Sequence, residues 1–178
     1  MNPSDPSNAP RKLYIHRSER VKSTDIFHGT HKWALTSLYS GEVELIDYEK
    51  KIKVRKIEVA PNQPVRCAKI IERKQWIVTA SDDKDIRVFN YNTMEKVKHI
   101  QEAHSDYIRY IDVHPTKTIL LSCSDDFEIK AWDFEKHWSC VAIMQGHTRK
   151  SYIYLHQNYQ NFLINDYIFL NFFLYFIS

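Results

Sequence analysis

One segment is written three times over in this sequence, in register. The pairs Ile46-Asp47, Phe89-Asn90 and Trp132-Asp133 close stretches that recur every 43 residues. Upstream of each, Ser40, Asp83 and Asp126 align, as do Val43, Ile86 and Ile129, and Ser37, Ala80 and Cys123. Residues 80–90 superimpose almost position by position on residues 123–133. A period of roughly 40–45 residues with such an ending predicts propeller blades, each a four-stranded antiparallel sheet. The expected fold is all-β, a partial β-propeller with blades near 13–56, 57–100 and 101–143.

The local pattern agrees with that period. Residues 76–80 and 119–123 are β-rich and long enough for central strands. Ser-Asp-Asp turns follow them and lead into alternating Ile86-Arg87-Val88-Phe89 and Ile129-Lys130-Ala131-Trp132. Residues 65–70 and 108–113 read as the innermost strands. His114-Pro115-Thr116 suits a turn, where a proline costs no ladder hydrogen bond. Trp76, Trp132 and Trp138 fall at strand positions and are expected in the core.

Composition excludes more than it selects. A net charge of +3 over 178 residues does not imply nucleic acid. The three cysteines, Cys67, Cys123 and Cys140, form no Cys-x-x-Cys pair and fit a reducing compartment, with Cys67 and Cys123 as buried thiols. The nine histidines lack metal-ligand spacing, so no metal is expected. No phosphate loop, nucleophile elbow or zinc-protease motif is present, and neither catalytic residues nor a cofactor are expected. His104-Ser105-Asp106 has hydrolase residue types, but loop neighbours cannot form a nucleophile–base–orienter chain. His104, Ser122, Asp126 and Trp132 instead suit a hydrogen-bonded network inside a blade.

In an up-and-down sheet, the loop entering the first strand lies at the same end as the turn between the second and third. Arg20, Lys22, Arg66, Asp106 and Arg109 therefore share a face with Tyr39, Asp82, Asp83, Asp125 and Asp126. Separately clustered bases and acids suit a peptide of mixed charge. Asp83 and Asp126, at one repeated position, are expected to cap turn N–H groups. For Asp82, Asp125, Arg20, Lys22 and Arg66, residue type alone leaves solvated charge and ligand contact both open.

Several strings go further. Arg17-Ser18-Glu19-Arg20-Val21-Lys22-Ser23, Ser37-Leu38-Tyr39-Ser40-Gly41, Pro64-Val65-Arg66 and Ile86-Arg87-Val88-Phe89-Asn90-Tyr91-Asn92-Thr93 are four of them. Glu102-Ala103-His104-Ser105-Asp106-Tyr107-Ile108-Arg109 and Val113-His114-Pro115-Thr116 complete the set. Over residues 11–148 the chain resembles the N-terminal WD-repeat propeller of the coatomer beta-prime family. Such a propeller has about seven blades, of which this chain carries about three. The resemblance implies a non-enzymatic coat subunit on the cytosolic face of Golgi membranes and coated vesicles, acting in Golgi-to-ER retrograde transport. Implied partners are the other coatomer subunits and the C-terminal dilysine signals of membrane cargo. By motif, Arg20, Lys22 and Arg66 take the terminal carboxylate, Asp106 and Asp125 take lysines, and Tyr39 stands at the rim. The alternative is a WD-repeat scaffold of another cytosolic complex, such as a ubiquitin ligase. Ile46 replaces the family's usual tryptophan in the first blade.

The ends read differently. Residues 1–10 are polar, with three prolines, and are expected as a flexible arm without a signal peptide. From 151 to 178 there is no Lys, Arg, Gly, Pro, Ala or Val, and ten of 28 residues are Tyr or Phe. Residues 149–178 are expected as an aberrant tail outside the propeller, with the bias of translated A/T-rich non-coding sequence. A divergent fourth blade and a membrane segment are the alternatives, but residues 162–177 fall short of the roughly 20 apolar residues a span needs.

Overall fold

In this computed structural model the described residues are 19–145, together with the backbone of the strands Ile153–Leu155, Phe162–Ile164 and Ile168–Phe169. The expected N-terminal arm and most of the tail lie outside them. Twelve strands form three four-stranded antiparallel meanders. Blade 1 is β1 (Val21–Ile26), β2 (Trp33–Leu38), β3 (Glu42–Asp47) and β4 (Ile52–Glu58). Blade 2 is β5 (Val65–Ile71), β6 (Trp76–Ser81), β7 (Ile86–Asn90) and β8 (Lys96–Ile100). Blade 3 is β9 (Ile108–Val113), β10 (Ile119–Ser124), β11 (Ile129–Asp133) and β12 (Ser139–Met144). The three blades predicted from the repeat are present, and the only helical element among the described residues is the one-turn segment Glu72–Lys74.

Period-two alternation explains how the blades stack. Along β6, Ile77 packs toward blade 1 with Phe27, Leu35 and Leu45, while its neighbour Val78 packs toward blade 3 with Ile111, Leu120 and Trp132. The same division separates Ala68 from Cys67 on β5 and Phe89 from Val88 on β7. Both faces of blade 2 are thus buried, which is why its central strands read as continuous apolar runs. The far face of blade 3 gathers Ile119, Leu121, Cys123, Ile129 and Ala131. The backbone of Ile153–Leu155 lies against β9 and β10, and the three tail strands pair antiparallel with one another. Cys67 and Cys123 are buried free thiols, and burial pushes the Cys67 thiol up to about 11.

Innermost strands of different blades share no ladder, so side chains stitch them together. Ser23 Oγ accepts from Ala68 N–H at 3.1 Å, and Asp25 Oδ2 accepts from Ile70 N–H at 2.9 Å. Lys69 lies between Asp112 at 3.5 Å and Asp25 at 3.9 Å, linking all three blades. Burial works against the Lys69 charge, yet the two carboxylates prevail and raise its pKa. These groups line a cleft of about 410 Å³ with His28, Glu72 and Pro115. Arg73, from the one-turn helix, donates to the carbonyls of Pro115 at 2.7 Å and Lys117 at 2.6 Å in blade 3.

Blade 3 holds the hydrogen-bonded network expected from sequence. Trp132 Nε1–H donates to Ser122 Oγ at 2.9 Å, Ser122 lies 2.7 Å from His104 Nε2, and His104 Nδ1 lies 2.8 Å from Asp126. Every group is satisfied if Ser122 donates to Nε2 and a neutral His104 donates from Nδ1. Burial lowers the His104 pKa despite the opposing pull of Asp126, in keeping with that neutral form. Unfolded, the imidazole returns to its ordinary pKa of about 6.5 and binds a proton that the folded form resists. Stability should therefore be complete above that pH and fall as pH drops through the lowered native value. Urea unfolding at pH 7.5 and 5.5 should show this loss, and a His104→Asn variant should show less of it.

Candidate functional site

Three of the four bases on the predicted face each sit at a break in strand register. Val21 pairs with Leu38 and Ser23 with Ser37, so Lys22 is the extra residue of a β-bulge. Arg66 is skipped in the same way between Val65 and Cys67, and Arg109 between Ile108 and Tyr110. A bulged residue leaves the ladder, and its side chain is re-aimed. Here three innermost strands carry their cations at equivalent sites.

Opposite each bulge, one hydrogen bond fixes a turn residue. Tyr39 N–H donates to the Arg20 carbonyl at 2.9 Å, Asp82 N–H to Pro64 at 3.0 Å, and Asp125 N–H to Tyr107 at 3.0 Å. Tyr39, Asp82 and Asp125 are therefore one position of the repeat, and Lys22, Arg66 and Arg109 another. The topological expectation that these loops share a face is met within each blade.

The chemistry of the pair changes from blade to blade. In blade 2, Arg66 grips Asp82 as a fork, Nε to Oδ1 at 2.7 Å and Nη2 to Oδ2 at 2.5 Å. This bond raises the Arg66 pKa. In blade 3, Arg109 pairs with Asp125 through Nη2 and Oδ2, without the second arm of the fork, and its guanidinium stands 5.5 Å from the Tyr107 ring centre. In blade 1 an aromatic ring stands where the acid would be. Arg20 and Lys22 lie 5.4 and 5.6 Å from the Tyr39 ring centre, and neither has a carboxylate partner among the described residues. Burial, then Arg66 and Arg20, lower the Lys22 pKa, as expected for a cation crowded by cations.

Asp106 adds an acid at blade 3. One of its oxygens accepts from Tyr107 N–H at 2.7 Å, and Ser124 Oγ–H donates to its backbone carbonyl at 3.0 Å. Across the face, blade 1 thus presents two cations with no ion-pair partner among the described residues, blade 2 a closed ion pair, and blade 3 an ion pair plus one further carboxylate. An open hollow of about 560 Å³ at the cationic end is lined by Glu19, Arg20, Tyr39, Ser40 and Asn62.

All six residues named from sequence stand at this end of their blades, but not as six free groups. Arg66 and Asp125 are each held in an ion pair whose other member, Asp82 or Arg109, was outside the named set. The signal for those partners was present in the spacing Lys22, Arg66, Arg109 and Tyr39, Asp82, Asp125. Asp83 and Asp126 serve the turns, as expected. Asp83 accepts from Ser81 Oγ at 2.6 Å and pairs with Arg87, and Asp126 accepts from Glu128 N–H at 3.0 Å. His104, Asp126 and Glu128 bring possible metal-binding atoms within 4.8 Å of one another. Their geometry is explained by the network in blade 3 and by Lys130, 3.3 Å from Glu128.

Comparison with known proteins agrees with the repeat. The model of the WD domain, G-beta repeat, matches residues 51–90 and 95–133. Coatomer subunit beta'-1 of Oryza sativa subsp. japonica is 53% identical over 65 residues, which is 36% of this chain and 7% of the relative. Human coatomer subunit beta' is 54% identical over 64 residues, again 36% of this chain and 7% of the relative. The chain thus matches only a small part of these relatives' length. The crystal structure of RRP9 WD40 repeats aligns with a TM-score of 0.67 over 78% of this chain and 42% of that one. At 15% identity that likeness is one of fold. The chain carries WD repeats in propeller blades and, over one segment, resembles the coatomer beta-prime subunits.

Proposed function

We propose that this chain is the signal-reading part of a coatomer coat subunit, a non-enzymatic scaffold that recognises C-terminal dilysine sequences of membrane cargo. The observation that carries the reading is the charge gradient across the face, from two open cations at blade 1 to an extra carboxylate at blade 3. A peptide ending in a carboxylate with lysines a few residues upstream has the complementary gradient. Arg20 and Lys22 take the carboxylate, Tyr39 walls the hollow, and Arg66 adds its charge while held by Asp82. Asp106 and Asp125 receive ammonium groups. Held carboxylates retain further lone pairs, so Asp125 can accept from a lysine while it stays paired with Arg109.

The likeness to coatomer beta-prime supports the wider setting: assembly with other coat subunits and attachment to the cytosolic face of Golgi membranes during return transport to the ER. The chain tagged and recovered from cytosol should carry other coatomer subunits with it. Recovery of ubiquitin-ligase components in their place would favour the generic WD-repeat scaffold and contradict this reading.

A further inference from the structure

The blade 3 end of the face carries two large exposed rings that the charge reading does not use. Tyr107 is 44% exposed and Phe127 is 48% exposed. They belong to two loops clasped together, since Asp125 N–H donates to Tyr107 and Ser124 Oγ–H to Asp106. Phe127 ends the turn that carries Asp125, with its N–H on the Ser124 carbonyl at 3.2 Å.

The backbone at Phe127 sharpens the point. Its φ is +66°, in the left-handed region, where a bulky side chain is uncommon. The same repeat position holds Gly41 at φ +99° in blade 1 and Lys84 at +72° in blade 2. Phe127 alone puts an apolar ring there, and folding alone gains little from a half-exposed ring in a strained turn.

We infer that Tyr107 and Phe127 form an apolar shelf that reads the residue just upstream of the signal's first lysine. The inference rests on the proposed peptide reading and adds a specificity to it. With the carboxylate at blade 1 and the signal's lysines on Asp106 and Asp125, the chain upstream of the first lysine leaves over blade 3. A leucine there meets the two rings and loses apolar surface to water, whereas a serine gains nothing. The acids select the lysine, and the rings select its neighbour.

Two peptides that differ only at this position, Leu against Ser, should be titrated against the full chain and against F127N. Asparagine tolerates the left-handed backbone, so this variant keeps the turn. The leucine peptide should bind about fivefold to tenfold more tightly to the original chain. F127N should lose that preference and keep its affinity for the serine peptide. Equal affinities on the original chain, or a preference that survives in F127N, would overturn the shelf and leave the charge reading standing. Failure of both peptides to bind would overturn both.

Discussion

Replacing Lys69 by methionine should destabilise the chain by about 3 kcal/mol at neutral pH, the scale for removing one partner of a buried ion pair. Methionine keeps most of the aliphatic volume, so the loss is one of charge. Asp112 would be left buried with no cation, facing Asp25 across the inner strands. Burial already raises the Asp112 pKa with Lys69 in place. Without the ammonium it rises further, so the penalty should shrink as pH falls and the carboxyl takes up a proton. Adding Asp112→Asn should recover part of the loss. Urea unfolding at pH 7 and pH 5 checks both statements, and an unchanged midpoint at pH 7 would contradict the role given to Lys69.

Gly41→Ala should cost a similar amount, about 3 kcal/mol. Gly41 has φ +99°, and a Cβ there would lie 1.9 Å from the Ala60 carbonyl oxygen. That carbonyl cannot yield easily, because Val59 N–H and Ala60 N–H both donate to the Gly41 oxygen, at 2.9 and 3.0 Å. The clash falls on the buried link between blades 1 and 2. Lys84→Ala, at the same repeat position in blade 2, replaces one non-glycine residue by another and should stay within about 0.5 kcal/mol. Thermal unfolding of the two variants side by side tests the contrast, and equal shifts would show that position 41 is an ordinary turn.

The blades were legible in the sequence because stacking buries both faces of each sheet, forcing the same apolar pairs and turn acids to recur. Ile77 and Val78, or Leu120 and Leu121, carry that signal directly. The network of His104, Ser122, Asp126 and Trp132 was legible too, since each residue type has one role in it. The site was legible only as a set of charges. A bulge at Lys22, Arg66 or Arg109 leaves no mark in hydrophobic alternation, because one skipped residue looks like any polar position on a strand. Nor does composition tell whether Arg66 waits for a ligand or already holds Asp82. The distinction lies in side-chain reach across adjacent strands, which spacing hints at and only coordinates supply. Blade 1 differs because Tyr39 occupies the acid's position, a substitution that is plain once the three turns are aligned.

The proposal that the open cations of blade 1 hold a terminal carboxylate is tested by calorimetric titration of the chain with a peptide ending in a dilysine signal, then with the same peptide amidated at its C-terminus. Charged hydrogen bonds of this kind contribute roughly 1.5–3 kcal/mol, towards the low end where Arg20 and Tyr39 meet solvent. The amidated peptide should therefore bind about tenfold more weakly, and the free peptide should lose affinity as salt is raised. Equal affinity for the two peptides would contradict the account and leave Arg20, Lys22 and Arg66 as surface charge.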